Sequence, residues 1–289
     1  DQSLGSLFRN RRNGKFEDVA LEVGVFDPRG AMGVAAFDFQ ADGDQDFLIT
    51  HGVSEDPAFY VNELSAKLLV FDDQATRVGL RKPDGALVGW GTGFVDFDND
   101  GDQDLYLIYG STIEDELTLD VLTRPKMIPQ KSAIYESRGG KWRSLQAGAG
   151  SYFAETHVGR GAAVSDFDLD GRPDIAINNH GGEPALLRNT SKSTGNWIEL
   201  RLVGRDCNRD AANARATVYC DGLPPQMREV FVGSSYLSCD SKTLHFGLGK
   251  ADAIRRIEIR WPCGGKQSLE SVKLNRVLTV TETTRDRSK

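Results

Sequence analysis

The stretch Asp96-Phe97-Asp98-Asn99-Asp100-Gly101-Asp102-Gln103-Asp104 governs how the rest of the chain is read. It recurs upstream as Asp38-Phe39-Gln40-Ala41-Asp42-Gly43-Asp44-Gln45-Asp46 and downstream as Asp166-Phe167-Asp168-Leu169-Asp170-Gly171-Arg172-Pro173-Asp174. In each copy, oxygen-bearing side chains stand at positions 1, 3, 5 and 9, and glycine stands at position 6. Alternate residues can turn their oxygens inward, and glycine permits the sharp turn that returns position 9 to the same centre. A hard cation taking roughly six to eight oxygen ligands suits such a loop, and calcium is the expected ion, about three in all. One copy alone also reads as a solvated acidic turn, since Asp-Gly is common in turns. Three copies in one register, each followed by an apolar run, favour the metal.

The expected ligands are Asp38, Gln40, Asp42, Asp44 and Asp46 in the first loop. They are Asp96, Asp98, Asp100, Asp102 and Asp104 in the second, and Asp166, Asp168, Asp170, Arg172 and Asp174 in the third. Arg172 stands at position 7, where a backbone carbonyl can serve. Gln40 keeps an oxygen but loses a charge, so the first site is expected to be the weakest.

The flanks separate these loops from an EF-hand, which has twelve residues, ends in Glu and lies between helices. Here Phe47-Leu48-Ile49-Thr50, Leu105-Tyr106-Leu107-Ile108 and Ile175-Ala176-Ile177-Asn178 follow the last aspartate, and Val34 to Phe37 or Ala162 to Val164 precede the first. A glycine lies five residues before each first aspartate, at Gly33, Gly91 and Gly161. Glycine is poorly suited to buried helices, so the unit reads as strand, loop, strand.

The 289 residues suffice for two domains, and 31 glycines fit a turn-rich all-β fold. No apolar run approaches the length of a membrane-spanning helix. The loops hold 13 of the 42 acidic side chains, so three divalent ions would bring the formal charge from −7 to about −1. The acidity is local, and without a basic stripe nucleic acid is not an expected partner. Cys207, Cys220, Cys239 and Cys263 lie in the last third without zinc-like spacing, which suggests disulfides and an oxidising compartment. The opening Asp1-Gln2-Ser3 fits either a processed chain or a fragment.

The first aspartates of successive loops are 58 and 70 residues apart. Leu7-Phe8-Arg9-Asn10 leading to Gly14-Lys15-Phe16 is echoed by Ala133-Ile134-Tyr135-Glu136 leading to Gly140-Lys141-Trp142. Leu68 to Phe71 holds the matching place in the middle unit, and Leu186-Leu187-Arg188-Asn189 opens a further one. Each unit then reads as an outer strand before its own loop, and units of this size are expected to be β-propeller blades. Residues 111–130 break the rhythm with a helix-like start at Ser111 to Leu117 and read as an insertion on one rim. From Asn196 the chain becomes a run of short strands: Trp197 to Val203, Ala214 to Cys220, Arg228 to Val232, Thr243 to Phe246, Ile257 to Trp261 and Arg276 to Thr281. The expected domains are 1–190 and 196–282, the second a small antiparallel β-sandwich. If its strands form a simple meander, Cys207–Cys239 is the preferred bridge.

The loops with their flanking strands resemble FG-GAP/VCBS repeats, the calcium-binding blades of integrin-α-type propellers. The C-terminal part resembles an ASPIC/UnbV domain. That resemblance rests on Asn196-Trp197, Asn208-Arg209-Asp210, Gly233 to Ser238, His245-Phe246-Gly247-Leu248-Gly249, Arg260-Trp261-Pro262 and Asn275 to Val280. It implies a secreted, periplasmic or cell-surface protein with calcium-stabilised adhesion or matrix interaction, and a protein or glycan ligand. Ala211-Ala212-Asn213-Ala214 stands where the family usually has glycine. Three blades and a stray strand fall short of the four to eight that close a propeller. Further blades are therefore expected from a longer chain or a partner chain, or hidden within residues 51–90 and 111–150.

The alternative is a propeller-scaffold enzyme, or a biosynthetic accessory protein, with a site in the central funnel. Its candidates are His51 and His180, which follow the last aspartates of their loops by 5 and 6 residues. Solvated loop tips are the simpler expectation for both, and His245 is expected to be structural. No nucleophile elbow, His-Glu-x-x-His or phosphate-binding loop occurs.

Overall fold

The computed structural model describes residues 4–53, 55–63, 70–80, 86–112, 127–145, 148–192 and 195–283. Strands β1 (Phe8–Asn10) and β2 (Phe16–Asp18) form a separate hairpin, followed by one helical turn, α1 (Ala20–Val23). The first loop-bearing sheet is an antiparallel meander of β3 (Ala31–Phe37), β4 (Asp46–His51), β5 (Ala58–Asn62) and β6 (Phe71–Asp73). The second repeats it with β7 (Gly89–Val95), β8 (Asp104–Tyr109), β9 (Ala133–Ser137) and β10 (Trp142–Ser144). After one more helical turn, α2 (Ser151–Ala154), the third has β11 (Gly159–Ser165), β12 (Asp174–Asn179) and β13 (Ala185–Leu187). Each aspartate loop connects the first two strands of its sheet.

Strand periodicity explains how the sheets pack. Along β8, Leu105, Leu107 and Tyr109 join Phe37, Leu48 and Phe59 of the first sheet in one core. The intervening Tyr106 and Ile108 face the other way, into a second core with Ile175 and Ile177 of the third sheet. A strand buried on both faces reads as a continuous apolar run, as Leu105-Tyr106-Leu107-Ile108 does.

The outer strands correct the unit boundaries. Phe71 lies in β6 of the first sheet, and Ala133 to Tyr135 lie in β9 of the second, so these segments close the sheet before them in sequence. Ala58–Asn62 with Phe71–Asp73, and Ala133–Ser137 with Trp142–Ser144, are thereby used as third and fourth strands, and no further blade appears there among the described residues. The helix-like start of the insertion falls on residues 113–126, outside the described residues. No closed ring of sheets occurs among the described residues.

The C-terminal part is two facing sheets. One contains β14 (Asn196–Val203) between two partners, and the other contains β15 (Arg215–Cys220), β16 (Gln226–Glu229), β18 (Ile254–Arg260) and β19 (Lys266–Val272). The partners of β14 are β17 (Leu244–Gly249), antiparallel, and β20 (Val277–Thr281), parallel. The sandwich is therefore not a meander and not wholly antiparallel. Ile198, Leu200, Phe246, Ile257, Ile259 and Trp261 fill its core. The expected Cys207–Cys239 bridge is replaced by Cys207–Cys263, with Cα atoms 5.7 Å apart. Cys263 lies in the β18–β19 turn, beside the segment after β14, whereas Cys239 is exposed on the long crossing before β17. Ala211 and Asn213 carry positive φ of 52° and 67°, which accounts for glycine being usual in that segment.

The sandwich sits against the first strands of the three loop-bearing sheets. The glycines noted in sequence show how close this approach is. A Cβ on Gly33 would lie 2.1 Å from Trp90 O of β7, and one on Gly91 would lie 2.7 Å from Arg160 O of β11. A Cβ on Gly161 of β11 would lie 2.9 Å from Tyr236 O of the C-terminal part. The crossing segment thus takes the place that a next first strand would fill. Ser235 exchanges backbone bonds with Val34 of β3 and accepts at Oγ from Thr92 N of β7 at 2.8 Å. Asp240 accepts from Val164 N of β11 at 2.8 Å. Strand edges that would otherwise be open are covered.

Candidate metal centre

The three loops share one backbone scaffold. The position-1 carboxylate accepts from the N–H groups of positions 5 and 6: Asp38 from Asp42 and Gly43, Asp96 from Asp100 and Gly101, Asp166 from Asp170 and Gly171. The position-9 carboxylate accepts from position 2 and from the sheet's third strand or just beyond it. Asp46 binds Phe39 N and Asn62 N, Asp104 binds Phe97 N and Ser137 N, and Asp174 binds Phe167 N and Asn189 N. Position 4 is left-handed in every copy, with φ of 57° at Ala41, 59° at Asn99 and 58° at Leu169. Sequence reasoning expected the turn at glycine and missed this second positive-φ position. An alanine and a leucine held there are conformations that a loop does not adopt without a reason.

The structure brings positions 1, 3 and 9 together in two loops. One oxygen each from Asp96, Asp98 and Asp104 lie within 4.8 Å of one another, as do those of Asp166, Asp168 and Asp174. In the first loop Gln40 replaces the position-3 acid and is exposed, and Asp44 Oδ1 is buried without a hydrogen-bond partner. The position-5 acids Asp42, Asp100 and Asp170 turn back to accept the N–H of position 7, from Asp44, Asp102 and Arg172 respectively.

The second cluster differs from the third in its neutralisation. Asp96 and Asp104 are 1% and 4% exposed, and among the described residues no basic side chain makes an ion pair with Asp96, Asp98 or Asp104. Burial, reinforced by the neighbouring carboxylates, drives Asp96 well above the ordinary carboxylate range and Asp104 to about 7. In the third loop, Arg188 pairs with Asp168 at 2.6 Å and with Asp170 at 3.3 Å, and Arg172 pairs with Asp170. Arg188 was not singled out from sequence. The donor sets are all oxygen and, in the second loop, consist of three carboxylates with no ion-paired cation among the described residues. They fit a hard divalent cation and not a soft one.

The C-terminal sandwich closes over the second loop. Gly249 N donates to Asn99 O at 2.7 Å, Gly195 N donates to Asp98 O at 3.0 Å, and His245 Nε2 lies 2.7 Å from Asn99 Oδ1. Asn99 Nδ2 donates to Gly171 O of the third loop at 2.9 Å. Asn189, which begins the sequon Asn189-Thr190-Ser191, donates its Nδ2 to Phe97 O at 2.8 Å. Asn99 and His245 thus join two loops and the sandwich. The family-like His245-Phe246-Gly247-Leu248-Gly249 stretch was the signal that could have located this joint.

The acids also set a pH dependence. Burial raises Asp46 to about 6 and both Asp44 and Asp104 to about 7 from an ordinary value of 3.8. A group whose folded pKa lies above its unfolded value favours folding below the unfolded pKa, and that contribution is lost as pH rises through the folded pKa. Metal-free protein is therefore expected to lose stability between about pH 4 and 7, and chemical denaturation in EGTA at pH 5, 6, 7 and 8 checks it. A divalent cation held by the loops would remove this loss, because it would keep the carboxylates ionised and compensated.

The histidines read differently from expectation. His51 is 2% exposed, not a solvated tip: Nδ1 lies 2.8 Å from Asp56 O and Nε2 lies 3.4 Å from Asp27 Oδ2. Burial works against the Asp27 carboxylate, but hydrogen bonds from Arg29 and Tyr60 outweigh it and hold its pKa at about 2. His180 is exposed, as expected. No histidine joins either acidic cluster among the described residues.

A sequence profile of the family "ASPIC and UnbV" matches residues 204–287. Cartilage acidic protein 1 of Mus musculus is 28% identical over 284 residues, covering 95% of this chain and 41% of the relative. The Homo sapiens and Xenopus tropicalis proteins of that name are 27% and 26% identical over 282 residues, each covering 95% of this chain and 40% of the relative. The chain thus spans about two fifths of the length of the curated relatives it matches.

Proposed function

We propose that this chain is a calcium-binding, non-catalytic interaction module of the extracellular or cell-surface space. Its three loop-bearing sheets act as blades of a partial β-propeller of the FG-GAP/VCBS type within 1–190, and 196–282 form an ASPIC/UnbV-type sandwich docked on them. The observation that carries the reading is the second loop, where three clustered carboxylates, two of them buried, have no ion-paired cation among the described residues. Each ion cross-links the first two strands of a sheet and removes the repulsion between aspartates. A ligand that binds only the folded state stabilises it by about 2.7 kcal/mol at a hundred times Kd. Extracellular calcium suits even modest sites.

The likeness to cartilage acidic protein 1 supports a matrix-type role, and the Cys207–Cys263 bridge supports an oxidising compartment. No helix among the described residues is long and apolar enough to cross a membrane. The partner is a protein or a glycan, engaged by the loop-bearing rim and the sandwich, and further blades come from a longer chain or a partner chain. Calcium calorimetry tests the reading. Three ions are expected, the weakest in the first loop, and Gln40→Asp should tighten that site on the order of tenfold. A titration of folded protein that shows no saturable calcium binding would refute it.

A further inference from the structure

Between the first strands of the three sheets and the sandwich lies a cavity of about 470 Å³. That is the size of a small-ligand pocket. Its walls include Phe37, Phe94 and Val164, and its polar groups include Arg228, Asp240 and Ser234. We infer that this cavity binds an acidic sugar residue, with the sugar's carboxylate or sulfate on the Arg228 guanidinium and its hydroxyls toward Asp240.

The argument begins with Arg228. Among the described residues its guanidinium donates to Met227 O at 2.9 Å and Gln226 Oε1 at 3.3 Å, and it lies over the Phe246 ring at 5.5 Å. Among the described residues no carboxylate makes an ion pair with it. The charges that do act on it from farther away are Asp96 and Asp38, the first ligands of the second and first loops. A half-buried guanidinium without an adjacent counter-charge is only partly compensated, and it retains unused N–H donors in a planar fork that matches an oxyanion.

The other charged groups of the lining are accounted for. Glu229 is paired with Arg215 at 2.6 Å, and His245 faces Glu199 and Asn99. Asp96 belongs to the second loop. Asp240 accepts from Val164 N and from Ser234 Oγ at 2.7 Å, and keeps lone pairs for a hydroxyl. The cavity therefore offers a basic and an acidic group among aromatic and aliphatic walls. A ring that carries an anionic group, hydroxyls and an apolar face matches that lining better than a simple anion or an apolar ligand.

The proposal deepens the glycan half of the proposed function and takes its metal dependence from the calcium reading. When calcium neutralises Asp38 and Asp96, Arg228 loses its distant compensation and attracts an anion more strongly. The probes are glucuronate, galactose 6-sulfate and neutral glucose, titrated into the intact chain with calcium and with EGTA. Glucuronate or the sulfated sugar should bind with Kd on the order of 1 mM, at least about tenfold tighter than glucose. Whichever acid binds more tightly identifies the carboxylate or the sulfate as the natural group. Calcium should tighten binding several-fold, and Arg228→Gln should abolish it while the Arg228→Lys variant retains part. The comparison among sugars uses the unaltered chain, so it holds even if Arg228→Gln does not fold. No discrimination between acidic and neutral sugars, or binding that survives in folded Arg228→Gln, overturns the proposal. Calorimetry with calcium alone reports separately on the loops. Acid-sugar binding without any calcium binding would uphold the cavity and refute the calcium reading.

Discussion

Asp96→Ala should cost about 3–5 kcal/mol of stability in calcium, and markedly less in EGTA. The substitution strips the part-buried N–H groups of Asp100 and Gly101 of their acceptor, and each donor left unpaired costs on the order of 1 kcal/mol. In calcium it also removes an ion whose binding contributes only to the folded state. In EGTA the lost acceptor is offset, because the substitution also removes a carboxyl that is unfavourably buried beside Asp98, Asp100 and Asp104. Asp98→Asn separates the two effects. Asp98 is half-buried, and its hydrogen bond to Asp100 N is long at 3.3 Å, so its main contribution is as a ligand. That variant should lose calcium affinity at the second loop with little change in EGTA. Denaturant titration of both variants in each condition checks the pattern. Equal losses with and without calcium would mean that Asp96 acts only as a hydrogen-bond acceptor.

Gly247→Ala should uncouple the sandwich from the second loop. A Cβ there would lie 1.9 Å from Asp96 Oδ2 and 2.6 Å from Asn99 Cα, and neither the loop backbone nor the strand β17 can yield cheaply. Overpacking of this kind costs typically about 1–3 kcal/mol, and here it falls on the joint that holds Asn99. Phe246 and Leu248, on either side, remain in the sandwich core, so the sandwich itself should stay folded. The expected result is lost calcium affinity at the second loop, retained affinity at the third, and faster proteolysis near residues 192–195. Gly233→Ala is the control, since a Cβ there meets nothing within 4 Å. If Gly247→Ala leaves both calcium binding and cleavage unchanged, the contact does not couple the two parts.

How far the sequence discloses this architecture can be judged from particular residues. The loops and their flanking strands are legible because position-specific chemistry repeats three times: Asp38, Asp96 and Asp166 occupy the same geometry. The unit boundary is not legible, since an outer hairpin next to a loop in sequence can belong to either neighbouring sheet. Only pairing decides that Tyr135 faces Leu105. Strand β19, Lys-Gln-Ser-Leu-Glu-Ser-Val, gives almost no signal because it is largely exposed and polar. The Cys207–Cys263 bridge joins the segment after β14 to the β18–β19 turn of the other sheet, a meeting that short-range patterns do not reveal. The joint around Asn99, Gly171, His245 and Gly249 and the placement of Arg228 arise from tertiary contacts between distant segments; the His245 to Gly249 stretch marks one side of the joint, but local propensity does not show what it meets. The glycines Gly33, Gly91 and Gly161 were visible as a pattern, but their cause, a close approach of neighbouring first strands and then of Tyr236, required the fold.

The most direct test of the calcium reading is a thermal melt of the intact chain at pH 7.5 in excess EGTA, in millimolar calcium and in millimolar magnesium. The account predicts a large rise in Tm with calcium and a small one with magnesium, which gives up its water reluctantly to a site of this kind. An unchanged Tm in all three, with the protein fully folded in EGTA, would contradict it and leave the aspartate loops as self-supporting turns.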